Sequence, residues 1–202
     1  IVTKESSSIN ICSDEAGNIY AAWFFSNNSG NKYLAKYNGS TNFKLLDGQI
    51  ISRNISDWNN KVTINLGKDD GIKVNNPVLY EGILMGFVEK VEKNTSLVKL
   101  TTSENIRLSI PAMAYKDNKE FNGIMLSYDA DENVYRFKTY SNQKELSIGN
   151  KIYTNGYTSG TPKGIEIGTV VELEKNKNNL EIIYKVKPSA ELYDARYIQV
   201  IK

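Results

Sequence analysis

The sequence predicts an all-β fold made of two small β-barrel domains, and three observations carry that expectation. Its apolar residues fall in short β-branched or alternating runs. Gly, Asn, Asp or Pro interrupts these runs roughly every eight to twelve residues, the rhythm of small barrels and sandwiches. No long segment repeats apolar residues at the helical period. The 202 residues, 40% apolar and 24% charged, can bury a sizeable core, so the chain reads as globular.

In residues 1–44, two aromatic-rich runs, 18–25 and 32–37, flank the turn-forming stretch 26–31 and read as a β-hairpin. A lone hairpin is marginal, so this N-terminal segment is expected to pack on the neighbouring barrel. Strands are then expected at 49–52, 61–66, 77–81, 83–91, 96–101 and 108–115, making a first barrel over residues 45–111. In 61–66, for example, Val62, Ile64 and Leu66 alternate with polar neighbours. A second set at 123–129, 133–139, 151–154, 168–175, 179–186 and 197–201 makes a second barrel over 112–202, with 112–120 joining the two. The last of these strands can instead return to the first barrel. One helical turn is expected at 189–194, with Ser189 as its N-cap and Glu191 in its first turn.

Composition removes several function classes. A net charge of +2, from 25 basic and 23 acidic residues, leaves no basic excess for tracking phosphates, so nucleic acid is not an expected partner. Cys12 is the sole cysteine and there is no histidine, which excludes an internal disulfide and the usual Cys/His zinc sites. The missing imidazole also removes the base of a Ser-His-Asp triad and the activator of a cysteine nucleophile. No Ser-x-x-Lys phrase sits at a strand-to-helix elbow. Asp69, Asp70, Asp129, Asp131 and Glu132 fall in turns and read as loop charge, so no catalytic residue, metal or cofactor is expected. No apolar run is long enough to cross a bilayer, and the opening IVTKESSS lacks the apolar stretch of a signal peptide.

Several glycines fall where strands end or bend, as turns of small barrels require. The order of the phrases around them is more specific. Ser52-Arg53-Asn54-Ile55-Ser56-Asp57-Trp58 precedes the strand from Lys61, then come Gly67-Lys68-Asp69-Asp70-Gly71-Ile72 and Asn75-Asn76-Pro77-Val78. Gly82-Ile83-Leu84-Met85-Gly86-Phe87-Val88 and Ser96-Leu97-Val98-Lys99-Leu100 follow. Later the chain reads Ser147-Ile148-Gly149-Asn150-Lys151-Ile152, then Pro162-Lys163-Gly164-Ile165-Glu166-Ile167-Gly168, and closes on Val186-Lys187-Pro188-Ser189-Ala190. In this order the phrases resemble the extracytoplasmic β-domain of the MreC family, with Asn54-Ile55 standing where that family shows Asp-Pro. The resemblance covers residues from about Gln49 to Lys202.

The resemblance implies paired barrels of the chymotrypsin type without a catalytic triad. It implies a non-enzymatic scaffold of the bacterial cell-elongation machinery, acting by contact on peptidoglycan-synthesis proteins. Its implied partners are the elongation transpeptidase, a class B penicillin-binding protein, the membrane protein MreD, MreB indirectly, and further copies of itself. It also implies the extracytoplasmic face of the cell membrane, with a membrane anchor upstream of Ile1. Residues 1–46 depart from the family, showing no heptads of a coiled coil. Contact is expected through strand edges and apolar patches of the barrels, centred on Trp23, Tyr115, Phe121 and Tyr128, because aromatics concentrate interface energy. Trp58 reads either as rim packing or as a contact. Two alternatives stay open: a carbohydrate-binding or hydrolytic wall module, suggested by Tyr20, Trp23, Phe24, Phe25, Tyr33 and Tyr37, and a sensory ectodomain.

Overall fold

The structure is a computed structural model that describes residues 7–13, 19–26, 32–35, 42–53, 60–103, 108–141, 146–175 and 182–202. It is all-β. Strands β1 (Ser7–Ser13), β2 (Ile19–Ser26) and β3 (Lys32–Ala35) lead into β4 (Asn42–Arg53). Then follow β5 (Lys61–Ile64), β6 (Pro77–Tyr80), β7 (Ile83–Val91) and β8 (Ser96–Leu100). The second half holds β9 (Ile110–Lys116), β10 (Lys119–Asp129), β11 (Val134–Thr139), β12 (Lys151–Asn155), β13 (Lys163–Lys175), β14 (Ile182–Pro188) and β15 (Tyr197–Ile201).

Two antiparallel rings close. The first runs β4-β5-β8-β7-β6-β15 and back to β4, so the last strand does return to the first barrel. The second runs β9-β10-β11-β14-β13-β12 and back to β9. Inward positions alternate as a period of two demands: Val62 and Ile64 on β5 and Ser96, Val98 and Leu100 on β8 are buried, with Val62 opposite Val98. Gly123 on β10 marks a close approach of backbone in the second ring, since a Cβ there would stand 2.2 Å from the Lys138 carbonyl oxygen.

Two apolar cores result, and they share a wall. On β6, β7 and β15, Leu79, Leu84 and Ile201 belong to the core of the second barrel. Their neighbours Val78, Met85 and Val200 belong to the core of the first. A parallel backbone contact between Glu166 of β13 and Ile83 of β7 adds a direct link between the rings.

Several strands differ from expectation for local reasons. β4 begins at Asn42 and not near Gln49, because the chain stays extended through Asp47-Gly48, with Gly48 buried. Residues 112–120 do not form a connector. They make the β9–β10 hairpin, whose Asp117 and Asn118 hold φ values of 51° and 60° as a two-residue turn of the I′ kind requires. β13 begins at Lys163, just after Pro162. The expected helical turn is a short 3-10 turn at Leu192–Asp194 flanked by Glu191 and without a side-chain cap. Ser189 does not cap it; its hydroxyl donates to Glu166 Oε1 at 2.6 Å. In the N-terminal segment β2 and β3 pair as the anticipated hairpin, β1 adds a strand to it, and β3 pairs with the start of β4.

Candidate interaction surface

Closing both rings leaves neither barrel an unpaired strand side, so the expectation of contact through barrel strand edges is corrected. Among the described strands, β1 is the one with a single neighbour. The barrels themselves can offer side chains and the clefts along their joint.

At that joint Tyr135 of β11 is fully buried, its hydroxyl 2.8 Å from Thr101 Oγ1 of the first barrel. Thr101 Oγ1 donates to the Met85 carbonyl at 3.1 Å, so its single proton is spent and Tyr135 is the donor between them. Burial pushes the Tyr135 phenol well above its ordinary pKa, which keeps that proton in place. Replacing Tyr135 with Phe is expected to cost about 1–2 kcal/mol, because a buried acceptor loses its donor. A double-mutant cycle with Thr101→Val, read by denaturant unfolding, should show coupling between the two changes.

A cleft of about 240 Å³ opens on one side of the joint between Phe87, Lys99, Leu108 and Pro111. Another, of about 210 Å³, lies between Arg53, Tyr128, Lys187 and Tyr193. In the latter Arg53 donates to the Leu192 carbonyl at 2.8 Å, which seats the 3-10 turn. Burial lowers the Arg53 pKa, an effect opposed by the charge of Asp194.

The four anticipated contact residues do not converge. Trp23 lies on β2, opposite Ile9 of β1. Tyr115 and Phe121 share the β9–β10 hairpin, Tyr115 opposite Glu120 and Phe121 opposite Ala114. Tyr115 donates to Glu120 Oε2 at 3.3 Å, Lys163 pairs with the same carboxylate at 2.5 Å, and the Lys163 ammonium lies 5.8 Å from the Tyr115 ring. Burial works against that ammonium, but hydrogen bonds to Glu120 and Tyr115 outweigh it and hold its pKa above the usual lysine value. Phe121 packs partly buried against the second core. Tyr128 is buried far along β10 from that hairpin tip, donating to Asn133 Oδ1 at 2.9 Å, its ring 5.3 Å from that of Tyr135. Trp58 lies outside the described residues.

Exposed apolar side chains that the sequence reading passed over lie elsewhere. On the first barrel Ile51 and Tyr197 project from the adjacent strands β4 and β15, and on the second Tyr140 and Tyr157 lie open. The period of two held the signal for Tyr197, since Ile198 and Val200 beside it are buried.

Several of the polar and ionisable groups are engaged by one another. Ser189 and Lys151 both bond to Glu166, the hydroxyl at 2.6 Å and the ammonium at 2.9 Å, so this lysine is engaged by a carboxylate. Asp129 and Glu132, read as loop charge, are held by cations: Asp129 by Arg136 at 3.1 Å, Glu132 by Lys185 at 2.8 Å. Asp70 Oδ2 accepts the Gly67 N–H at 2.8 Å and closes its own turn. The described residues hold no group of His, Cys, Asp and Glu that could bind a metal ion.

Comparison with known proteins agrees with this architecture. The family model for the barrel core of the rod shape-determining protein MreC matches residues 50–202. The cell shape-determining protein MreC of Listeria monocytogenes is 31% identical over 157 residues, 78% of this chain and 53% of that protein. This chain thus spans about half the length of the curated relatives it matches. A solved MreC structure from Listeria monocytogenes superposes with a TM-score of 0.75 at 29% identity, over 79% of this chain and 76% of that one. The major periplasmic domain of the cell shape-determining filament MreC gives 0.71 at 26% identity, over 79% and 95%. A complex between the penicillin-binding protein PBP2 and MreC from Helicobacter pylori shares the fold, with a TM-score of 0.57 at 14% identity over 79% and 99%. Two closed barrels, a C-terminal strand returning to the first, and a family match spanning all but the N-terminal quarter place this chain in the MreC family of rod shape-determining proteins.

Proposed function

We propose that the protein is a non-enzymatic scaffold of the cell-elongation machinery that holds peptidoglycan-synthesis proteins together outside the cytoplasmic membrane. The observation that carries this reading is the family match across both barrels. The complex of PBP2 with MreC in Helicobacter pylori supports a class B penicillin-binding protein, the elongation transpeptidase, as the first partner. The filament-forming relative supports association of the chain with itself. MreD, MreB indirectly, and an N-terminal membrane anchor complete the proposal on family grounds. Trp23, Tyr115, Phe121 and Tyr128 remain its proposed contacts, and residues 1–44, 45–111 and 112–202, the last with its C-terminal strand returned to the first barrel, its proposed units.

Immobilising the chain and titrating the purified transpeptidase of the same cell tests the reading. Saturable binding with a Kd of about 1 μM to 100 μM is expected, as for transient assemblies. Near-neutral net charge predicts little change on raising salt, because buried apolar contact is not screened as exposed ion pairs are. Absence of binding at such concentrations would remove the transpeptidase from the proposal.

A further inference from the structure

We infer that the cleft beside Lys99 is a docking site for an extended segment of a partner protein that presents an apolar side chain next to a carboxylate. The inference rests on the reading above that the protein works by contact, and it adds the chemistry of what is gripped. On the outer surface of the first barrel Lys99 stands directly opposite Lys61 on one side and Phe87 on the other. Two like charges opposed across a ladder repel. Lys61 is relieved by Glu89 at 2.8 Å. Among the described residues no carboxylate pairs with Lys99, which leaves a half-buried cation at the cleft wall.

The rest of the cleft fits such a ligand. Phe87, Leu108 and Pro111 line it and are partly exposed, which gives an apolar floor next to the ammonium. Ser109, also at the cleft, holds a φ of 53°, a left-handed conformation uncommon for serine. A volume of about 240 Å³ falls below the roughly 300–1,000 Å³ of cofactor and small-molecule sites but admits one large side chain with its neighbour. An acidic residue following an apolar one would bury the latter against Phe87 and Leu108 and bring its carboxylate to Lys99, where partial desolvation strengthens the pair.

The test uses fluorescein-labelled heptapeptides with a central Leu-Asp, Leu-Asn or Leu-Lys pair in a Gly/Ser background, titrated into the whole chain and followed by anisotropy. The Leu-Asp peptide is expected to bind at least tenfold more tightly than Leu-Asn. Lys99→Glu should invert the order in favour of Leu-Lys, and Lys99→Gln should erase the difference without changing the melting curve. Equal binding of the Asp and Asn peptides, an order unchanged by Lys99→Glu, or no saturation by 1 mM peptide would each overturn the inference. No transpeptidase enters this titration, so its failure leaves the scaffold reading standing, and failure of transpeptidase binding leaves the cleft standing.

Discussion

Gly123→Val is expected to lower the melting temperature by roughly 6–12 °C, the equivalent of about 3 kcal/mol or more in a chain of this size. A Cβ at Gly123 would lie 2.2 Å from the Lys138 carbonyl oxygen and 2.6 Å from the ring of Phe137. The first obstacle is backbone held in the β10–β11 ladder, where Ile124 faces Lys138, so it cannot turn aside as a side-chain tip could. The ring obstacle is a fully buried core residue. Relief therefore means opening the barrel wall, and Gly123→Ala should act in the same direction. Gly160→Ala is the control: its φ of 79° is strained for alanine but nothing lies within 4 Å of its Cβ, so a cost of about 1 kcal/mol is expected. Circular dichroism melts of the three variants decide the matter, and a Gly123→Val melt equal to wild type would show that the strands do not approach this closely.

Ending the chain after Arg196 is expected to unfold the first barrel. That truncation removes β15, which is hydrogen-bonded to β4 on one side and β6 on the other, and so opens the ring. It also removes Ile198, Val200 and Ile201, each no more than 2% exposed. At about 1.5–3 kcal/mol for each buried aliphatic side chain, their loss rivals the roughly 5–15 kcal/mol that holds a typical domain folded. The second barrel is contiguous in sequence from β9 to β14 but loses the packing of Ile201, Leu79 and Leu84, so its amide signals should shift and weaken along the shared wall while those of β5 to β8 collapse toward random-coil positions. The newly bare edges of β4 and β6 should also promote aggregation, and a synthetic peptide of residues 189–202 should restore the lost signals. An intact spectrum of β5 to β8 in the truncated chain would refute the role assigned to the last strand.

Much of this fold was legible because strand formation in a small barrel is written locally. The alternation of Val62 and Ile64, and of Val98 and Leu100, marked strands whose inward sides fill the first core. The return of the last strand was among the expected possibilities. What local pattern could not convey was pairing. Asp47-Gly48 and Asp117-Asn118 both look like turns, yet only the latter is one, because β4 runs straight through the former to meet β3 and β15. The interaction surface was less legible for the same reason. Tyr115, Phe121 and Tyr128 are near in sequence but lie toward opposite ends of β10, whereas Lys61 and Lys99 are far apart in sequence and face each other. The Thr101–Tyr135 hydrogen bond likewise joins two polar residues that no periodicity connects.

The wall shared by the two cores has a mechanical consequence. Had the barrels been joined by a linker, each could swing about it and the distance between partners gripped by different barrels would vary. Here Leu84 and Met85, adjacent on one strand, are each sunk in a different core, so a swing would have to tear packed side chains loose on both faces of β7. Protein interiors are nearly as dense as organic crystals and resist such deformation. The molecule is therefore a stiff bracket: whatever binds one barrel is held at a set span and angle from whatever binds the other, and a pull on either end is delivered to the far end without slack.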